Sequence, residues 1–153
     1  MITDEFKAVQ DALKNLPAKL QQRVVVGATR AAAATIAKEA REIVPVRTGL
    51  LKKSISVRMV PKRKTPSGHV HFYVVPLTKM KFTASIKIGG QSAKLKGTRT
   101  VFYAHMVEFG TVNMAAQPFM RPAYENSADK SVKAFQQYAL KRTEKEIAKM
   151  AVS

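Results

Sequence analysis

Apolar residues recur every three or four positions at the start of the chain, at Phe6, Val9, Leu13 and Leu16. That spacing predicts a short amphipathic helix, with Thr3 as its cap and Asp4 and Glu5 in the positive first turn. Pro17 ends it or opens the next helix. A longer helix is expected over residues 18–44, because Leu20, Val24, Ala28, Ala32, Ile36, Ala40 and Ile43 form one stripe. It would be roughly 40 Å long at a rise of about 1.5 Å per residue. The run Ala31, Ala32, Ala33, Ala34 keeps part of it slim, so a neighbouring element can approach closely, and Pro45 stops it.

The period then drops to two. Ile55, Val57 and Met59 alternate with Ser54, Ser56 and Arg58; Val70, Phe72 and Val74 alternate with His69, His71 and Tyr73; Ala84, Ile86 and Ile88 alternate with Ser85 and Lys87. Three strands follow from this, with a fourth expected near residues 101–103. The intervening segments 61–69 and 89–100 are rich in Gly, Ser, Pro, Lys and Arg, which predicts long exposed loops that are mobile in the free protein. From Pro122 nearly to the end the helical period returns, with Tyr124, Ala128, Val132, Phe135, Ala139 and Ile147 as the expected buried face. Pro122 suits a first helical position, Glu125 the positive end and Lys145 and Lys149 the negative end. The pattern predicts one α+β domain over residues 1–153, helical over 1–44, sheet and loops over 45–111, connector and C-terminal helix over 112–153. Its sheet is expected to be central and antiparallel, of three to four strands, with the C-terminal helix packed on it.

Composition narrows the function. A chain of 153 residues can bury a core without covalent staples, and with no cysteine it has neither disulfides nor thiolate metal sites. The beginning is acidic where a secretory signal would be basic, and the most apolar region is broken by Arg23 and Arg30, so a soluble protein made in the cytoplasm, with no membrane partner, is expected. Charge is the strongest signal: 27 Lys and Arg stand against 10 Asp and Glu, a formal net charge of +17. Between Glu42 and Glu108 there is no acid, yet 13 basic residues fall there, among them Lys62, Arg63 and Lys64 in one loop and Lys94, Lys96 and Arg99 in the other. Such a one-sign interval attracts an acidic protein surface or nucleic acid.

Catalytic chemistry finds little support. His69 and His71 share a strand face, as metal ligands would, but no Asp, Glu or Cys stands near to complete a site. The serines lack a nucleophile-elbow frame, and Gly89 and Gly90 are a lone pair outside any phosphate-binding motif. No enzyme activity, cofactor or metal is expected. A small basic nucleic-acid-binding module is the alternative reading, supported by the charge and by Phe72, Tyr73 and Phe82, although the adjacent Phe72 and Tyr73 face opposite sides of a strand.

The informative segments are two connectors. In the first, Pro45 ends the long helix, Arg47 follows, Thr48 can cap one short turn, Gly49 permits an unusual backbone angle, and Leu50 and Ile55 return the chain to the core. In the second, Tyr103, Met106, Val107 and Phe109 are apolar anchors around Glu108, Gly110 and Thr111 turn the chain, and Pro118 and Pro122 hold it extended into the last helix. Glu108 is the sole acid near the basic interval, so Arg47, Arg121 or a basic loop of a neighbouring subunit is its expected partner.

These residues resemble the head-to-tail joining (neck or tail-completion) family of long-tailed bacteriophages and prophages. Pro45, Thr48, Gly49, Leu50, Ser54 and Ile55 carry the first motif; Glu108, Phe109, Gly110, Thr111, Pro118, Phe119, Arg121, Pro122 and Ala123 carry the second. The resemblance implies a non-enzymatic virion protein of the neck or tail, assembled in the host cytoplasm as a homo-oligomeric ring, expected to be a hexamer, between the head-closure or connector proteins and the tail terminator or tail tube. The basic loops would then become ordered on an acidic partner, a neighbouring ring protein or the DNA in the channel, the protein being the favoured one. A ring needs each subunit to present one patch to a different patch on its neighbour at a fixed angle, which rigid prolines, turned glycines and large apolar anchors provide.

Overall fold

The computed structural model describes residues 2–61, 69–88 and 91–152, with side chains outside 2–5, 82–96 and 151–152. The basic cluster Lys62, Arg63 and Lys64 lies outside the described residues. In chain order the elements are α1 (Ile2–Lys14), α2 (Ala18–Ile43), α3 (Leu50–Ser54), β1 (Ile55–Met59), β2 (Phe72–Pro76), β3 (Lys79–Ile88), β4 (Gln91–Thr100), α4 (Ala104–Phe109) and α5 (Met120–Val152). The fold is α+β, as the alternation of periods predicts.

The long helix α2 begins and ends where proline chemistry requires. Pro17 precedes α2, and Val44, the residue before Pro45, is extended at φ −56° and ψ 132° while its N–H still donates to the Ala40 carbonyl. A residue before proline is pushed out of the helical region, so α2 stops there.

The predicted central sheet is instead two separate two-stranded sheets, β1 with β2 and β3 with β4, both antiparallel. The fourth strand is β4, within the segment expected to be a mobile loop, while residues 102–103 form a turn into α4. Lys94, Lys96 and Arg99 are therefore strand residues. Gln91, Ala93 and Leu95 do alternate with Ser92, Lys94 and Lys96, but glycine and lysine content points locally to a loop. Pairing with β3 supplies the hydrogen bonds that local preference does not.

The core has two centres. One joins Ala37, Ala40 and Val44 of the α2 end to Leu51, Ile55, Val101, Ala104, Phe119 and Ala123. The other joins Val9 and Leu16 to Val24, Ala28 and Ala139, with Phe6 of α1 stacked on Phe135 at 5.9 Å. α5 runs beside α2, its largest neighbour, and its entry shares the first core with β1.

The faces of both helices differ from those predicted. In α2 the buried positions are Val24 and Ala28, then Ala33, Ala37 and Ala40, so the stripe leaves Ala32 and Ile36 half-buried. Nine residues separate Val24 from Ala33, which at 3.6 per turn is two and a half turns, about half a turn round the helix. In α5 the expected Tyr124 and Ile147 are exposed, and Ala123, Ser127, Ser131, Gln136, Ala139, Thr143 and Glu146 are buried. The buried side of α5 likewise shifts between Ser131 and Gln136, because each helix serves two cores that cover it from different sides.

Candidate functional site

The two connectors meet in space. Pro45, Val46, Arg47, Thr48, Gly49, Leu50 and Leu51 form one wall of a groove of about 690 Å³, and Tyr103, Met106, Val107, Thr111, Met114 and Gln117 form the other. Segments more than fifty residues apart in sequence thus build one surface feature.

The first wall is set by a short helix with a left-handed entry. Gly49 precedes α3 at φ +69°, a conformation that costs any L side chain about 1–2 kcal/mol. No atom would obstruct a Cβ at Gly49, so glycine is needed there for its backbone angle alone. Thr48 Oγ1 lies 3.5 Å from the Leu50 N–H, at the outer limit of a hydrogen bond. Ser54 is buried behind the wall rather than in it: its hydroxyl donates to the Leu51 carbonyl at 2.7 Å, and its own carbonyl accepts the Leu77 N–H at 2.9 Å. Arg41 anchors the same corner by donating from Nη2 to the Ile55 carbonyl at 2.7 Å.

The second wall begins with α4 and folds back on it. Gly110 closes α4 at φ +76°, and a Cβ there would lie 2.8 Å from the Ala116 nitrogen and 2.9 Å from the Met114 carbonyl oxygen. Both conformation and space demand glycine at this point. Thr111 and Met114 bridge each other, and the Gln117 N–H donates to the Val107 carbonyl at 2.8 Å, which cinches the loop.

Glu108 has a partner that charge counting missed. Its Oε2 accepts the backbone N–H of Phe119 at 2.9 Å and of Met120 at 3.1 Å, so the carboxylate caps α5. The first N–H groups of a helix have no intrahelical acceptor and carry the positive end of its dipole, which an anion satisfies on both counts. Pro122, in the first turn, brings no N–H of its own to satisfy. Arg121 instead faces Glu125 at 3.9 Å in a pair whose side chains are 85% and 66% exposed. Arg47 stands in the groove wall, away from Glu108's hydrogen bonds.

The remaining predicted residues divide into anchors and rim. Phe119 is fully buried in the first core, whereas Pro118 is exposed. Phe109 is 80% exposed and Val112 103% exposed, and Val46, Phe102 and Met114 are exposed too. Val46, Val112, Met114, Phe102 and Gln117 escaped the sequence-level selection, since no periodicity distinguishes an outward apolar residue in a loop from an inward one.

Elsewhere, the His69 and His71 rings meet edge to face at 6.1 Å. Among the described residues no three His, Cys, Asp or Glu side chains cluster as a metal site would need, and no helix is long and apolar enough to cross a membrane.

No curated protein and no solved structure matches the chain. Residues 7–110 match the profile of a family described as "Bacteriophage HK97-gp10, putative tail-component", a span from α1 through the first connector to Gly110. With more than half of its residues in that match, the chain belongs to the HK97-gp10-like family of bacteriophage tail components.

Proposed function

We propose that this protein is a structural, non-enzymatic ring subunit of the phage head-tail interface, acting in the neck or in tail completion. The observation that carries it is the groove: the two connectors that hold the resemblance motifs meet there, and Val46 and Met114 are exposed in its lining. Each wall is pinned by a glycine that only its own backbone angle admits, so the surface has a fixed shape of the kind that a closing ring requires. The proposed assembly is a six-fold ring contacting head-closure or connector proteins on one side and tail terminator or tail tube on the other, in the virion.

Light scattering and electron microscopy of the purified protein test this. A ring is expected, formed alone or on addition of a neck partner, and Val46→Asp should abolish it while leaving the melting temperature unchanged. Scattered monomers without rotational symmetry in reconstituted necks would sink the reading.

A second reading, nucleic-acid binding, is favoured by the lysines that β3 and β4 carry. Duplex-DNA binding across a salt series separates the two, because neutralised phosphates release counterions and weaken affinity steeply with salt. Tight binding that persists at physiological salt and is lost in Lys81→Gln/Lys94→Gln/Lys96→Gln would favour the nucleic-acid module.

A further inference from the structure

The groove between the connectors is apolar within and positive beside. Leu50, Tyr103 and Val107 line it and also pack against the first core, of which Leu51 in the same lining is a buried member. An apolar side chain seated there would extend that core outward. Val46 and Met114 are exposed in the lining, and a volume of about 690 Å³ lies in the range of specific binding pockets, with room for more than one large side chain. Gly49 and Gly110 fix the walls at positive φ, and the Gln117 N–H donates to the Val107 carbonyl across the second of them. A site formed in advance loses little entropy when it is filled.

Charge at the groove is of one sign. Among the described lining residues Arg47 carries the one charge, and it is exposed; Lys52 and Lys53, also exposed, follow on α3. The first wall lies wholly inside the interval without acids, and so does the second as far as Val107. Glu108 is the one acid of the two connectors, and its Oε2 is engaged by the Phe119 and Met120 N–H groups at the entry of α5.

We infer that the groove receives an acidic segment of another virion protein, which inserts apolar side chains between the walls and sets Asp or Glu against Arg47, Lys52 and Lys53. The inference rests on the ring reading above for the partner's place in the virion, and adds the partner's chemistry. A second copy is the wrong occupant, because each chain carries +17 and two such surfaces repel. Duplex DNA has the right charge but no apolar side chain for a lining made mostly of apolar residues. An acidic protein segment meets both features: its charge steers the encounter, and its buried apolar side chains hold the complex. The ring then closes on its partner rather than by itself, since the partner's carboxylates offset the repulsion between neighbouring copies.

Fluorescein-labelled synthetic peptides, titrated with the full chain at physiological salt and followed by anisotropy, test this. Two peptides carry Leu among Glu, spaced so that the leucines share one face of an extended chain in one and of a helix in the other. Controls replace every Leu by Ser or every Glu by Lys. At least one acidic leucine peptide should bind about tenfold tighter than its controls, Arg47→Glu should weaken it about tenfold, and Val46→Asp should abolish binding. Both variants change exposed residues, so their melting temperatures should match the wild type. Arg23→Glu makes the same charge change at an exposed position roughly 30 Å along α2 from Pro45, several Debye lengths away, and should leave binding unchanged. Equal losses in Arg23→Glu and Arg47→Glu, or controls that bind as tightly as the acidic leucine peptides, would reduce the effect to diffuse attraction and overturn the inference. So would duplex-DNA binding that Val46→Asp abolishes. Rings of the wild type alone that Val46→Asp dissolves would put a second copy in the groove, overturning the inference and leaving the ring reading standing. Necks with scattered monomers, beside a peptide that still needs Val46 and Arg47, would sink the ring reading and keep the acidic site.

Discussion

Glu108 shows how much a single carboxylate can organise. It joins the end of α4 to the beginning of α5 through two backbone N–H groups, and the groove wall hangs between those points. Hydrogen bonds to a charged group are worth about 1.5–3 kcal/mol each when their loss leaves buried donors unpaired. Both bonds are only part-buried, so Glu108→Ala should lower stability by less than their sum, roughly 2–3 kcal/mol, or about 4–12 °C in melting temperature for a domain of this size. Glu108→Gln, which keeps an acceptor, should lose less. Arg121→Ala should change stability by under about 1 kcal/mol, because its pair with Glu125 is exposed. Equal melting losses at Glu108 and Arg121 would contradict the capping role. The two groove glycines separate conformational from steric cost. Gly49→Ala meets open space and should cost only the left-handed penalty of about 1–2 kcal/mol. Gly110→Ala adds contact with the Ala116 and Met114 backbone and should be the more damaging in a thermal melt.

At the scale of elements, the long helices are shaped by serving two cores. A residue one position from the predicted stripe is buried because α1 covers one half of the α2–α5 pair and the first core covers the other. Small polar residues fit this seam when they satisfy themselves within the helix, as Ser131 does by donating to the Ala128 carbonyl at 2.7 Å. Glu146 is buried beside Arg142 at 2.7 Å. The Thr143 hydroxyl and Gln136 amide nitrogen are buried without a hydrogen-bond partner among the described residues. Replacing Thr143 by the near-isosteric valine should thus stabilise the protein by about 1 kcal/mol, read as a rise in the denaturation midpoint at unchanged slope. A fall in the midpoint would mean that the hydroxyl has a partner after all.

Across the whole molecule, stability is distributed unevenly between the sheets. β1 and β2 lie against α2 and share the first core through Ile55, Val57 and Val74, whereas β3 and β4 meet it at their foot. Backbone amides of β3 and β4 should consequently exchange with solvent faster than those of β1 and β2 in the free subunit. Hydrogen exchange on the free subunit would check this, and equal protection of both sheets would contradict it.

Local chemistry sufficed for several features. Proline placed the ends of α2, two-residue alternation marked β1 and part of β2 and β3, and Gly49 revealed its left-handed turn, because each effect acts within a few residues. The connectors were also legible as shaped segments and carried the family resemblance. Their meeting in one groove was decided by the tertiary structure alone, since it depends on how α2 and α5 bring distant segments together. The same holds for Glu108, whose sequence offered charged partners while the fold presented the end of a helix. It holds for β4 as well, whose local composition resembles a loop and which becomes a strand because β3 lies beside it. Periodicity reports one face per helix, so it could not register a helix that turns one side to each of two cores.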